Sequence, residues 1–193
     1  MMGSNYLANP LIFILQTLFQ LYILVVLLRF FLQLTRADFY NPLSQFIVKV
    51  TSPVLTPLRR VIPGVGGIDI ASLLLAWALK TLELMLVFWF SRGTFGLLLP
   101  LLMAIPELVE LVINIFFWAI LIQAILSWIN PGVYNPATVL LYSLTAPLLR
   151  PAQRLIPPIG GIDLSPMVVM LGLVVLKMLI LPPLRSLALA IGG

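Results

Sequence analysis

Thirty residues, Tyr40 to Asp69, recur 94 positions later as Tyr134 to Asp163, with fourteen identities and no gap. Tyr40-Asn41-Pro42 lies on Tyr134-Asn135-Pro136, Pro53 on Pro147, Pro57 on Pro151 and Arg60 on Arg154. The stretch closes with Gly66-Gly67-Ile68-Asp69 on Gly160-Gly161-Ile162-Asp163. Pro, Gly, Asn and Asp restrict or release backbone dihedrals, so the recurrence preserves a shape. A fold for this chain must use that shape twice.

The surroundings of the repeat name the solvent. Of 193 residues 62% are hydrophobic and 9% charged, which is more apolar surface than one soluble core can hide, so the chain belongs in a bilayer. Stretches near 10–34, 70–90, 106–128 and 166–185 are long enough to span, about 20 apolar residues being needed. With no Lys or Arg before it, the first reads as a retained membrane helix and not a secretory signal. Two spans per repeat return the chain to its starting side. The expected fold is therefore an all-α membrane protein of four transmembrane helices. They form two parallel two-helix repeats, 1–94 and 95–193, related by an axis along the membrane normal.

Between the spans of each repeat, residues 41–62 and 135–156 read as amphipathic segments. Asn41 before Pro42 is a helix start. Leu43, Phe46, Ile47, Val50 and Val54 share one face, with Ser44, Gln45 and Lys49 opposite; Ala137, Leu140, Leu141, Leu144 and Leu148 repeat the face. Pro53 and Pro57, like Pro147 and Pro151, are expected to break the helix into two pieces, interfacial or re-entrant. Arg36, Lys49, Arg59, Arg60, Arg150 and Arg154 lie on this side of the spans, against Arg92 and Arg185 on the other. That bias places the segments in the cytoplasm and both termini outside. It also accounts for the excess of 11 basic over 6 acidic residues without a nucleic-acid partner.

Gly66-Gly67 and Gly160-Gly161 supply the dihedral freedom for a sharp turn, and Asp69 and Asp163 follow where the next span begins. Each Asp is read as a helix N-cap, the alternative being a cation or proton site at the turn. Lys80, Glu83 and Lys177 fall inside the second and fourth spans, where an unpaired charge costs at least about 2.5–3.5 kcal/mol. The 94-residue offset sets Lys177 on Glu83, suggesting an ion pair across the symmetry axis. Gln16 and Gln20 align with Glu110 and Asn114, each pair one turn apart. These seven residues are expected to form one polar cluster in the outer half of the bundle. It is either a network that fixes helix register or a hydrated ion or proton path. Arg59, Arg60, Arg150 and Arg154 are expected to touch lipid phosphates or a cytoplasmic partner.

Other chemistry is excluded. The chain has no Cys and no His, which removes thiol catalysis, disulfides, haem axial imidazole and the common zinc and copper sites. Gly64 to Gly67 lacks the Lys-Ser/Thr ending of a phosphate loop, and no Ser has a base to activate it. No catalytic residue, metal site or cofactor is expected.

Two copies of an Asn-Pro, Pro-x-x-x-Pro, Ile-Pro-x-x-Gly-Gly-Ile-Asp pattern, each feeding an apolar helix, resemble the YggT family of small bacterial inner-membrane proteins. That family is related to YlmG proteins of other bacteria and of plastids. The resemblance runs from the first span to the last. It implies an inner-membrane location and a part in tolerance of osmotic and ionic stress and in potassium uptake, by conduction or by modulating transport. Conduction by so thin a bundle would require a homo-oligomer. The single-repeat relatives imply another possibility, a scaffold or assembly factor for division, septum or cytochrome complexes. Membrane lipids are the remaining expected partner.

Overall fold

The computed structural model describes residues 5–93, 96–129, 135–156 and 163–192. Those residues form six helices: α1 (Asn5–Leu34), α2 (Pro42–Val61), α3 (Ile70–Arg92), α4 (Leu98–Ile129), α5 (Pro136–Leu155) and α6 (Ser165–Gly192). Four of them, α1, α3, α4 and α6, contain apolar segments of 22 to 30 residues, and these are the spans. Two run well past their expected ends. α4 begins at Leu98, with Pro100 in its first turn, where a missing N–H leaves no hydrogen bond unmade. α6 continues through Pro182 and Pro183 to Gly192.

α2 and α5 start as the Asn-Pro pairs dictate. Asn41 Oδ1 accepts from the Leu43 amide at 2.9 Å. Asn135 Oδ1 accepts from Thr138 N at 2.9 Å while Thr138 Oγ1 accepts from Asn135 N at 3.1 Å, a reciprocal capping box. The internal prolines do not break either helix, contrary to expectation: α2 and α5 are each continuous over 20 residues. Pro53 and Pro57 are one turn apart, so the lost donors fall along one side. The carbonyls that lose a partner are those four residues back, of Lys49 and Pro53; beside them the Thr51 hydroxyl donates to Ile47 O at 2.7 Å and that of Ser52 to Val48 O at 2.6 Å.

The amphipathic faces are also disposed differently in the two copies. In α2 the apolar Leu43, Phe46, Val50 and Val54 point outward, while Ser44, Thr51 and Leu55 are buried against the bundle. In α5 Leu140 and Leu144 are buried together with Thr138, Thr145 and Leu149. α5 packs on α1 as well as on α4 and α6, and Leu144 joins Ile23, Val26 and Ala76 in the main core.

The spans form an open array. α1 packs on α3 and more lightly on α4, where Phe31 meets Phe116, α3 packs on α4 and α4 on α6; among the described residues neither α1 nor α3 packs on α6. Small buried side chains, Ala76, Ala104 and Ala119, let these helices approach closely. The halves repeat the same pairing, α1 with α3 and α4 with α6, and run in the same sense. A twofold axis, however, would require the α3–α4 contact to recur between α6 and α1. It does not, so the expected axis is replaced by a head-to-tail joint.

Candidate functional site

The turn ahead of α3 is built by its glycines. Val65 N donates to Ile68 O at 3.2 Å and Ile68 N to Val65 O at 3.0 Å, closing a two-residue turn over Gly66 (φ 62°) and Gly67 (φ 84°). Positive φ at both central positions is what a primed turn demands. Gly160 and Gly161, their counterparts, lie outside the described residues.

Asp69 leaves that turn without making a side-chain capping bond. Its carboxylate instead accepts from the Arg59 guanidinium and the Ser72 hydroxyl. Burial works to raise the Asp69 pKa, but the hydrogen bonds from Arg59 and Ser72 outweigh it and hold the carboxyl below its ordinary range. The cation at this turn is therefore Arg59. Asp163 stands one residue ahead of the α6 cap position, Leu164, and reaches the first helical amide: its Oδ1 accepts from Ser165 N at 2.9 Å, and Oδ2 from Gln153 Nε2 at 2.8 Å. Here too burial raises the pKa, and the bonds from Ser165 and Gln153 bring the net value below the usual one. Gln153 aligns with Arg59, so one contact recurs with and without charge.

Within the spans the charges form two networks. On α3, Lys80 Nζ stands 3.1 Å from both carboxylate oxygens of Glu83, the side chains 6% and 1% exposed. The amide of Gln20 on α1 reaches the same carboxylate. Between α4 and α6, Lys177 Nζ is 2.7 Å from Glu110 Oε1 and 3.2 Å from Asn114 Oδ1. Arg185 contacts Glu110 as well and lies 3.1 Å from Glu107. Glu107 is near enough to Glu83 to act on it electrostatically. The two networks hold three acidic and three basic groups. Gln16 is half-buried on α1 with no polar contact among the described residues.

The expected Glu83–Lys177 pair does not form. α3 and α6 do not touch, so Glu83 takes Lys80 from its own helix and Lys177 takes Glu110 from α4. What the offset does preserve is a contact inside each repeat: Gln20 with Glu83, and its counterpart Asn114 with Lys177. Lys177 lies near the middle of α6 and Glu110 near that of α4, deeper than the outer-half placement expected from the shorter spans. Glu107 and Arg185 escaped the sequence reading. Glu107 precedes Glu110 by one turn, a detectable signal; Arg185 reads as an outer-flank residue only when the span is taken to end at 185, whereas α6 runs on to Gly192.

Nor do the four interfacial arginines act together. Arg59 turns inward to Asp69 and Gln33, whereas Arg60, Arg150 and Arg154 are exposed. Arg150 and Arg154 line an open groove of about 480 Å³ with Arg36 from the end of α1. One further pair was not anticipated. Arg29 on α1 donates to the Thr51 hydroxyl at 2.6 Å and to Val48 O at 3.2 Å. At the aligned positions the Thr145 hydroxyl donates to Gln123.

Duplicated helical hairpins, each with an interposed amphipathic helix and charges carried inside the spans, define a polytopic α-helical membrane protein built from two repeats. A family model described as CCB3/YggT matches the chain twice, at residues 8–90 and 102–184, the same 94-residue spacing. The chain belongs to the CCB3/YggT family. It is 48% identical over 188 residues to an uncharacterized protein of Pseudomonas aeruginosa, covering 96% of this chain and 94% of that one. It is 45% identical over 172 residues to the uncharacterized protein YggT of Escherichia coli K12, covering 88% of each. No solved structure matches.

Proposed function

We propose that this is a bacterial inner-membrane protein of cation homeostasis under osmotic and ionic stress, acting without catalysis, by conducting a cation such as potassium or by modulating a transport system. The observation that carries this reading is the α4–α6 network. Lys177, Glu110 and Arg185 lie within spans yet keep 32%, 25% and 40% of their side-chain surface exposed. Charge facing hydrocarbon costs at least about 2.5–3.5 kcal/mol per residue, so this face has to meet water or protein, supplied by a second copy or by a transporter. The basic residues gathered around α2 and α5 support a cytoplasmic place for those helices and a periplasmic one for the termini. A second reading, a non-conducting scaffold for a division or cytochrome-assembly complex, is favoured by the exposed groove of Arg36, Arg150 and Arg154.

The test is cation flux into proteoliposomes across potassium, sodium and proton gradients, comparing wild type with Lys177→Met and Glu110→Gln. Flux that both substitutions abolish supports conduction along the network. Absence of flux from folded protein rejects conduction, and crosslinking from positions 150 and 177 then separates a scaffold from a transport modulator by the face that captures protein.

A further inference from the structure

A recess of about 350 Å³ opens between the end of α1, the α1–α2 connection and α2. Its volume falls in the range of about 300–1,000 Å³ typical of small-molecule sites. Three arginines line it, Arg29, Arg36 and Arg59, together with Gln33 and Ser44, and Phe39 stands at its apolar side. Among the described residues only one carboxylate, Asp69, contacts any of the three, so the recess is left with an excess of positive charge.

Two of its lining residues each hold a buried polar atom with no partner. Ser44 is 5% exposed, and its hydroxyl is buried without a hydrogen bond; Arg59 Nε is buried and unbonded likewise. Leaving buried donors unsatisfied is costly, and each such group in a native fold calls for an explanation. Arg36 makes no ion pair among the described residues. It is also their one non-glycine residue with positive φ, 52°, at a helix end where glycine would sit without strain. Strain kept at a residue whose side chain lines a cavity points to use of that side chain.

The second repeat lacks these side chains. Gln123, Asn130 and Gln153 stand at the positions of Arg29, Arg36 and Arg59. Thr138, aligned with Ser44, spends its hydroxyl on the capping box of α5. From one template, the first copy alone carries the charges and the free hydroxyl. We infer that this recess is an anion site for a phosphate group, held by charge-assisted hydrogen bonds from Arg36 and Arg59 Nε, with the Ser44 hydroxyl donating to a phosphate oxygen and Arg29 adding positive charge. The phosphate comes either from a phospholipid headgroup, with the acyl chains leaving past Phe39, or from solution. This goes beyond ion homeostasis and stands whether or not the protein conducts.

The test uses the full chain in dodecyl maltoside micelles, which carry no phosphate, with phosphatidylglycerol added in one arm and inorganic phosphate titrated in the other. Binding is read by native mass spectrometry for lipid and by 31P NMR for phosphate. Wild type is expected to retain phosphatidylglycerol, with affinity reduced about tenfold or more in Arg36→Asn and in Ser44→Ala, the loss of a hydrogen bond to a charged group. Removing an unpartnered hydroxyl leaves the fold at least as stable, so Ser44→Ala reads binding and not folding, and Arg150→Asn, outside the recess, should change nothing. Phosphate bound in lipid-free micelles with the same dependence on Arg36 and Ser44 supports the site and assigns it to a soluble ligand. No binding in either arm, or binding that both substitutions leave intact, overturns the proposal.

Discussion

Arg59 near the end of α2 and Asp69 just before α3 form an ion pair that fastens the amphipathic helix to the span it feeds. Gln153 and Asp163 make the corresponding link in the second repeat with a neutral donor at 2.8 Å. The protein thus contains its own control for the value of the charge. Arg59→Gln is expected to cost no more than about 1 kcal/mol, since Arg59 is one third exposed and exposed pairs contribute little. Asp69→Ala, which deprives both Arg59 and Ser72 of an acceptor, is expected to cost about 2 kcal/mol. Thermal unfolding in detergent, run on both variants, checks the order; a larger loss for Arg59→Gln would contradict it.

Both turn aspartates have carboxyls held below the ordinary range. A depressed folded pKa contributes stability that is present above the unfolded value of about 3.9 and lost as pH falls through the lower folded value. Acid titration of the folded protein is expected to show stability declining below about pH 4, with the decline shallower in Asp69→Asn. An unchanged acid limb in that variant would show that Asp69 is not the group responsible.

Gly66 and Gly67 both require the left-handed region, and a Cβ added at either meets no atom within 4 Å. Space is therefore not the constraint and conformation is. Gly67→Ala is expected to destabilise by about 1–2 kcal/mol and Gly67→Asn by less, because Asn tolerates positive φ. Equal losses for the two substitutions would point to a contact instead.

Lys80 and Glu83 are both buried and paired to each other. Lys80→Met should destabilise by about 3–5 kcal/mol, and Lys80→Met with Glu83→Leu should recover most of that loss, since an apolar pair can replace a buried ion pair while a lone charge cannot stay. Lys177→Met should cost less, as Arg185 remains on Glu110. Exchanging the charges of Glu83 and Lys177 should rescue nothing, because their helices do not touch. A double-mutant cycle on folded yields and unfolding midpoints distinguishes the pairings.

What the sequence disclosed were features carried by a few adjacent residues. Asn41-Pro42 and Asn135-Pro136 start helices because the cap and the fixed φ lie side by side in the chain, and Gly66-Gly67 specifies a turn by itself. Partner choice was not legible. Alignment equated Glu83 with Lys177, but equivalence under a repeat says that two residues have like surroundings, not that they meet. Which helices adjoin is decided by side-chain packing along whole spans, through residues such as Ala76 and Ala119 whose apolar signal resembles that of any lipid-facing position. Proline misled for a related reason: Pro53 and Pro57 look like breaks in isolation, yet one turn apart they spoil a single side of α2 and leave the rest of its ladder to continue.

The joint between α3 and α4 has a further consequence. A dimer closed by a twofold axis is complete at two units, whereas a head-to-tail joint does not count its members. Here α1 and α6, which do not pack on each other, still expose apolar side chains such as Leu18 and Leu179. The geometry would accept a third hairpin as readily as it accepted the second. The joint, unlike an axis, sets no limit of its own.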